Sequence, residues 1–365
     1  VSARQFCVVL AAGGTAGHIE PALNLADELV ALEPNTRICV IGGDRGLESV
    51  LVPARGYQLQ TVPSVPMPRR PTLDLLLVWP RQRAAKKLAK AQLRALQTDV
   101  VVGFGGYAAL PTYLAARELR IPVVIHEANA RAGLANRVAA RFTPLVYVLV
   151  PGSIAGGKLM GLPLRPAIAR LDRSALRPAA LAHFGLPGDR PVLLVFGGSQ
   201  GAQRLNAAVA GALPGLLADG ISVLHAYGSK NAAPEGKSGY VPLAYIERMD
   251  LAYAAADLAI TRAGAMTCAE LSAVGLPAIY VPLPVGNGEQ RLNALPIVEA
   301  GGGQYVADAA CTPQWLGESV PPLIHDHVKL AAMGAAAAGL GDRDAGHQFA
   351  EVVARVAMTH QGGVR

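Results

Sequence analysis

Apolar runs of about five residues recur along the chain, separated by longer stretches in which apolar positions return every three or four residues. Short continuous runs suit strands buried on both faces of a parallel sheet, and the longer period suits helices packed over them. In the first half the pattern predicts strands at 6–10, 37–41, 58–62, 99–102, 123–126 and 145–148. A first helix is expected over 17–32, with Ile19, Ala22, Leu23, Ala26, Leu29 and Val30 on one face. The second half repeats the plan with strands at 192–196, 222–225, 258–261, 278–281 and 304–306. Residues 152–166, with Gly156, Gly157, Gly161, Pro163 and Pro166, read as a linker. The expected fold class is α/β, with two Rossmann-like doubly wound domains, 1–162 and 163–343, facing across a cleft. A C-terminal helix is expected in 344–365, and composition leaves open whether it packs back on the N-terminal domain or on the second one.

Length agrees, since 365 residues exceed what one hydrophobic core usually serves. A chain that is 52% hydrophobic and 16% charged is poorly described as disordered. Aromatic residues make up only 5%, which argues against a nucleic-acid surface built on stacking, while a net charge of +7 points to anionic partners such as phosphates or acidic lipid. Cys7, Cys39, Cys268 and Cys311 form neither a CxxC pair nor a zinc spacing and read as reduced thiols. No run reaches the roughly 18 uninterrupted apolar residues of a transmembrane helix, so membrane contact is expected to be peripheral.

Polar residues gather where strands are predicted to end, the position at which open α/β sheets bind ligands. Gly13-Gly-Thr-Ala-Gly17 follows the first strand of one half, and Gly197-Gly-Ser-Gln-Gly201 the first strand of the other. Such turns offer backbone N–H groups and a helix dipole to anions, or serve simply as tight turns for helix–sheet packing. Neither is a P-loop, and neither is a complete dinucleotide fingerprint. His18 opens the first predicted helix, where the dipole favours a neutral imidazole suited to general base work. His126-Glu127-Ala128-Asn129 and Gly133 to Asn136 form a second cluster, fit for a cleft or for a structural hydrogen-bond network. Arg262-Ala-Gly-Ala-Met-Thr267 leads into a helix carrying Glu270, combining amides for a phosphate with a carboxylate for a ribose diol. Gln290 and Asn293 lie on one helical face as amides for sugar hydroxyls, or as ordinary caps.

The order of these pieces resembles the MurG family of bacterial peptidoglycan N-acetylglucosaminyltransferases, two-domain enzymes of the GT-B fold. The carriers are Gly13 to His18, Gly103-Phe-Gly-Gly-Tyr107, His126 to Asn129 with Ala132 to Asn136, Gly197 to Ala202, Arg262 to Thr267 with Glu270, and Gln290 to Asn293. The resemblance implies inverting transfer of N-acetylglucosamine from UDP-N-acetylglucosamine to the C4 hydroxyl of undecaprenyl-diphosphate-linked N-acetylmuramoyl-pentapeptide (lipid I). The product is lipid II for peptidoglycan, cell shape and division. By matching motif it implies that Thr15, Ala16 and Gly17 line the site, with Asn129 near the donor sugar, Arg165 at the nucleotide and Ser199 at the diphosphate. Ile246 would meet the uracil, the Ala265, Met266 and Thr267 amides the phosphate, Glu270 the ribose and Gln290 the sugar hydroxyls, with Cys268, Ala269 and Asn293 also in the donor site. His18 is the leading base, with Glu127 as alternative base or orienting group. No cofactor is implied and no metal, and the expectation is of no Asp-x-Asp triplet anywhere in the chain, in keeping with metal-independent departure. Three positions depart from the family's commonest pattern: Ala16 replaces Gly, Leu162 an Asn in the linker, and Glu289 a Gln.

A lipid-linked acceptor requires membrane contact, and Leu75, Leu76 and Trp79 precede Arg81, Arg83, Lys86, Lys87 and Lys90. Apolar anchors beside basic residues suit the anionic cytoplasmic leaflet of the bacterial cell membrane, or else a helix with a solvated basic side. Other cell-wall synthesis and division proteins are candidate partners, and nucleic acid is not. Three alternatives predict different behaviour: a nicotinamide oxidoreductase would bind pyridine nucleotide, a UDP-N-acetylglucosamine 2-epimerase would need no acceptor, and a membrane or nucleic-acid binder would not turn over.

Overall fold

The structure is a computed structural model describing residues 5–65, 74–198, 202–284 and 288–362. The chain divides into two compact units, 1–164 with 344–365, and 165–343.

In the first unit the strands are β1 (Cys7–Ala12), β2 (Arg37–Gly43), β3 (Gln58–Val62), β4 (Val100–Gly105), β5 (Val123–Glu127), β6 (Val146–Val148) and β7 (Lys158–Leu159). They form one sheet in the order β3-β2-β1-β4-β5-β6-β7, parallel throughout. Its helices are α1 (Ala16–Leu32), α2 (Glu48–Ala54), α3 (Asp74–Ala95), α4 (Ala109–Glu118), α5 (Leu134–Ala139) and, from the chain's end, α14 (Ala345–Gly362). Alternation along the strands separates two cores. Val8, Leu10, Val102, Phe104 and Val124 pack with α1 and with Phe349, Ala350 and Val353 of α14. Val9, Ala11, Val101, Val123 and Ile125 face Ala109, Tyr113 and Ala116 of α4 and Ala89 and Leu93 of α3. All five residues of β5 are buried, which is why this strand reads as a continuous apolar run up to His126.

The second unit carries β8 (Val192–Phe196), β9 (Ser222–Ala226), β10 (Tyr240–Leu243), β11 (Leu258–Thr261), β12 (Ala278–Tyr280) and β13 (Gly303–Tyr305) in the order β10-β9-β8-β11-β12-β13, again all parallel. Its helices are α6 (Pro166–Ala169), α7 (Arg173–Phe184), α8 (Gln203–Ala218), α9 (Met249–Ala255), α10 (Ala265–Val274), α11 (Glu289–Glu299), α12 (Pro313–Ile324) and α13 (His327–Ala338).

Two strands escape the hydrophobic pattern. Lys158–Leu159, inside the stretch read as linker, is exposed and pairs only with β6, so no apolar run marks it. Tyr240–Leu243 is an edge strand that contains Pro242 and is only partly buried. In each sheet the order reverses beside the first strand, between β1 and β4 and between β8 and β11. These switch points open a crevice beyond the strand ends, and the 13–17 turn and Gly197-Gly198 lie there.

Candidate active site

At the first switch point the β1–α1 turn and the β4–α4 turn touch. Gly106 has φ +92°, and a Cβ there would stand 2.3 Å from the Gly13 carbonyl oxygen, so only glycine permits the approach. Thr15, in an extended conformation, precedes α1 without capping it through its side chain. Its Oγ1 instead lies 3.2 Å from His18 Nδ1. The other edge of the imidazole faces Gly105: a Cβ there would be 3.4 Å from His18 Nε2 and from Asn136 Nδ2. The structure thus brings Thr15, His18, Gly105 and Asn136 together. Ala16 begins α1 and is not among the positive-φ residues, so its methyl costs the turn nothing. Gly14, Thr15 and Gly17 are exposed, while Ala16 and His18 are half-buried.

Glu127 and His126 point to opposite sides of the sheet. Glu127 is 3% exposed, and its Oε1 accepts from the Asn129 amide at 2.9 Å while its Oε2 accepts from the Gly133 amide and Asn136 Nδ2, each at 3.0 Å. This carboxylate closes the 127–136 loop onto α5. Asn136 Oδ1 in turn accepts from the Tyr113 hydroxyl at 2.9 Å, and that oxygen accepts from the Gly105 amide at 3.2 Å. Tyr113 is fully buried, and burial raises its phenol pKa, so it stays a donor. His126 is buried between Phe104 and Phe349, its Nε2 2.9 Å from the Gly161 carbonyl oxygen. Burial lowers its pKa to about 4. As a neutral ring it donates to Gly161 and faces the core, away from the side that Glu127 serves.

Glu48 is a participant the sequence did not announce. It is fully buried, and its Oε1 accepts from the Gly14 amide at 2.8 Å and the Gly43 amide at 2.9 Å. Gly46 leaves room for it: a Cβ at 46 would stand 1.8 Å from Glu48 Oε2. Its only sequence signal is position, five residues past the Gly42-Gly43 end of a strand.

In the second unit, β11 is followed by the turn Arg262-Ala263-Gly264, and Gly264 precedes α10 without a side-chain cap. The half-buried residues Ala265, Met266 and Thr267 present first-turn amides at the positive end of the helix dipole. Cys268 is buried, its thiol pushed up to about 12, and Ala269 is half-buried. Glu270, 4% exposed, accepts from Arg165 Nη2 at 3.0 Å on Oε1 and from the Tyr253 hydroxyl at 2.7 Å on Oε2. Arg262 fixes the turn from below, donating to the Val281 carbonyl and, at 2.6 Å, to Asp308. Gln290 Oε1 accepts from the Leu283 amide at 2.9 Å, and Asn293 Nδ2 donates to the Ala263 carbonyl at 3.3 Å, joining α11 to the same turn. The Ile246 side chain is buried beside exposed Tyr245. Glu289 is the first residue of α11, and Leu162 is 2% exposed, so apolar burial takes the place of an amide in that segment.

Ser199 lies outside the described residues. An Asp-x-Asp triplet does occur, correcting the expectation: in Asp342-Arg343-Asp344, Arg343 donates to the Leu171 and Ala273 carbonyls. Among the described residues no group of three or more His, Cys, Asp or Glu is placed to hold a metal.

Of the expected membrane residues, Trp79 is 73% exposed. At 3.6 residues per turn, Arg83, Lys86, Lys87 and Lys90 fall within about 100° of one another on the side of Trp79, and Arg81 roughly opposite. Lys86 and Lys90 pair with Glu118 of α4, at 2.5 and 2.8 Å. Leu75 and Leu76 belong to the first turn of α3.

Residues 8–148 match the glycosyltransferase family 28 N-terminal domain and residues 192–349 its C-terminal domain. A UDP-N-acetylglucosamine--N-acetylmuramyl-(pentapeptide) pyrophosphoryl-undecaprenol N-acetylglucosamine transferase of Nocardia farcinica is 55% identical over 361 residues, 96% of each chain. One of the same description from Mycobacterium tuberculosis H37Rv is 57% identical over 98% of this chain and 90% of its own. The crystal structure of Acinetobacter baumannii MurG superposes with a TM-score of 0.77 at 27% identity, covering 96% of this chain and all of the other. Two doubly wound domains with anion-ready turns at their switch points define a nucleotide-sugar glycosyltransferase of the GT-B fold. The chain belongs to glycosyltransferase family 28 and, within it, to the MurG N-acetylglucosaminyltransferases.

Proposed function

We propose that the chain transfers N-acetylglucosamine from UDP-N-acetylglucosamine to the C4 hydroxyl of lipid I, giving lipid II for the bacterial cell wall. The observation that carries this reading is the second switch point, where uncapped α10 amides stand one turn before a carboxylate already braced by two donors. That pairing suits a diphosphate next to a ribose diol. The names and near-full-length identity of the relatives support the sugar and the acceptor.

In the mechanism, His18 takes the proton of the acceptor hydroxyl as that oxygen attacks the anomeric carbon from the face opposite UDP, inverting an α-linked donor to a β(1→4) product. The Thr15 contact at Nδ1 orients the ring, and its Nε2 edge faces Gly105. Glu127 acts through Asn129 and Asn136 as a positioning carboxylate. Negative charge growing on the leaving diphosphate meets the Ala265–Thr267 amides, Ser199 and Arg165. Gln290, its carbonyl oxygen held by Leu283, turns its amide nitrogen to a sugar hydroxyl, with Asn293 on the same helix; in the first unit Thr15, Ala16, Gly17 and Asn129 are the residues assigned to substrate. Departure of UDP draws on no metal in this account. The protein attaches peripherally to the cytoplasmic leaflet through Trp79 and the basic side of α3; among the described residues no helix is long and apolar enough to cross a membrane.

UDP release measured with and without a short-chain lipid I analogue tests this. Release is expected to need the acceptor, to survive EDTA, to yield a β-linked product by NMR, and to fall by about 10²–10⁴ in His18→Ala. Acceptor-free consumption of the donor would return the epimerase reading, and full activity of His18→Ala would remove His18 as base.

A further inference from the structure

Glu270 presents a problem that the donor site must solve before any nucleotide arrives. A carboxylate 4% exposed is costly unless its oxygens are engaged, and a ribose that comes and goes cannot supply the engagement. Two permanent donors do so, one on each oxygen: Arg165 on Oε1 and the Tyr253 hydroxyl on Oε2. They are unequal supports. The Arg165 side chain is 29% exposed, on a long and flexible stem at the start of a one-turn helix. Tyr253 is fully buried on α9, its ring 6.2 Å from that of Phe196. With its torsions held by packing, it is the rigid arm.

We propose that Tyr253 is a positioning residue for nucleotide recognition: by fixing Glu270 Oε2 it aims the carboxylate at the 2′,3′-diol of the donor and gives the site its preference for ribonucleotides over deoxyribonucleotides. The inference rests on Glu270 as the ribose ligand. Each carboxylate oxygen accepts about two hydrogen bonds. With one taken on each oxygen, one remains on each, which matches two neighbouring hydroxyls. Burial, and then the charge of Glu270, raise the phenol well above its usual range, so it donates throughout the working pH. A phenylalanine would fill the same space beside Phe196, so the hydroxyl itself is what the substitution isolates.

The experiment compares kcat/KM for UDP-N-acetylglucosamine and its 2′-deoxyuridine analogue in the unaltered protein, Tyr253→Phe and Glu270→Gln. Tyr253→Phe is expected to lower the ribo-to-deoxy ratio about tenfold or more, through KM rather than kcat, since the contact serves binding. If the unaltered protein shows no preference, Glu270 is not the ribose ligand and the proposal falls with that reading. If Glu270→Gln loses the preference and Tyr253→Phe keeps it, the proposal alone falls. An equal loss on both donors makes Tyr253 a packing residue and also overturns it. Should Tyr253→Phe not fold, ζ-carbon-labelled tyrosine in the unaltered protein replaces it. The Tyr253 resonance is expected to move more with UDP than with 2′,3′-dideoxy-UDP, and an equal response to both overturns the proposal.

Discussion

Glu48 and Glu127 show how a single buried carboxylate shapes the N-terminal site. Each gathers backbone amides from the turns around it, and each stands next to the segment carrying His18 or its neighbour Asn136. Removing Glu48 strands the Gly14 and Gly43 amides and leaves a void among glycines, so Glu48→Ala is expected to cost about 2–4 kcal/mol in denaturant unfolding. Glu48→Gln keeps an oxygen for both amides and should lose markedly less. For Glu127, Glu127→Gln should lower kcat while leaving UDP affinity unchanged, because the loop it closes lies in the first unit and the nucleotide ligands in the second. A loss of UDP affinity in that variant, measured by calorimetry, would contradict the division of labour.

At the scale of an element, α3 shows why charge along a sequence overstates charge available to a surface. Eight basic residues cluster in 69–94, yet Lys86 and Lys90 converge on Glu118, whose carboxyl they hold down to about 2 by hydrogen bonding. Such exposed pairs add little stability. Glu118→Gln should therefore leave the melting temperature unchanged and tighten binding to vesicles containing anionic lipid, by releasing two cations beside Trp79. Reversing Lys86, Lys87 and Lys90 to glutamate should weaken the same binding, and more so at low salt. Vesicle cosedimentation checks both; an unchanged affinity in the triple variant would end the membrane role of this helix.

At the scale of the whole molecule, each unit carries one buried neutral histidine. His126 sits among Phe104 and Phe349, and His225 lies between the Tyr240 hydroxyl and Asn206, both with pKa lowered to about 4 by burial. The unfolded chain takes up these protons near pH 6.5 and the folded chain only near pH 4. Stability is thus intact above the upper value and drains away as pH falls between the two, by on the order of 3 kcal/mol for each histidine. Urea unfolding from pH 7.5 to 4.5 should show this loss, and His126→Phe should reduce its slope. Stability that rises toward acid would show these rings to be charged in the fold.

The sequence by itself determined the layered plan: buried parallel strands read as unbroken apolar runs, and the glycine turns after β1, β4 and β8 marked where the chain must turn sharply. Local type and spacing also marked His18, Glu127, Glu270 and Gln290 as candidates, while Arg165 was marked through the family resemblance. Strand pairing at the edges was out of reach, since β7 and β10 bury too little to leave a period. The supports of the site were also hidden. Glu48, Tyr113 and Tyr253 act across 34, 23 and 17 residues on Gly14, Asn136 and Glu270. Hydrogen bonds over such separations leave no periodic trace, because only the switch-point topology brings those strand ends together.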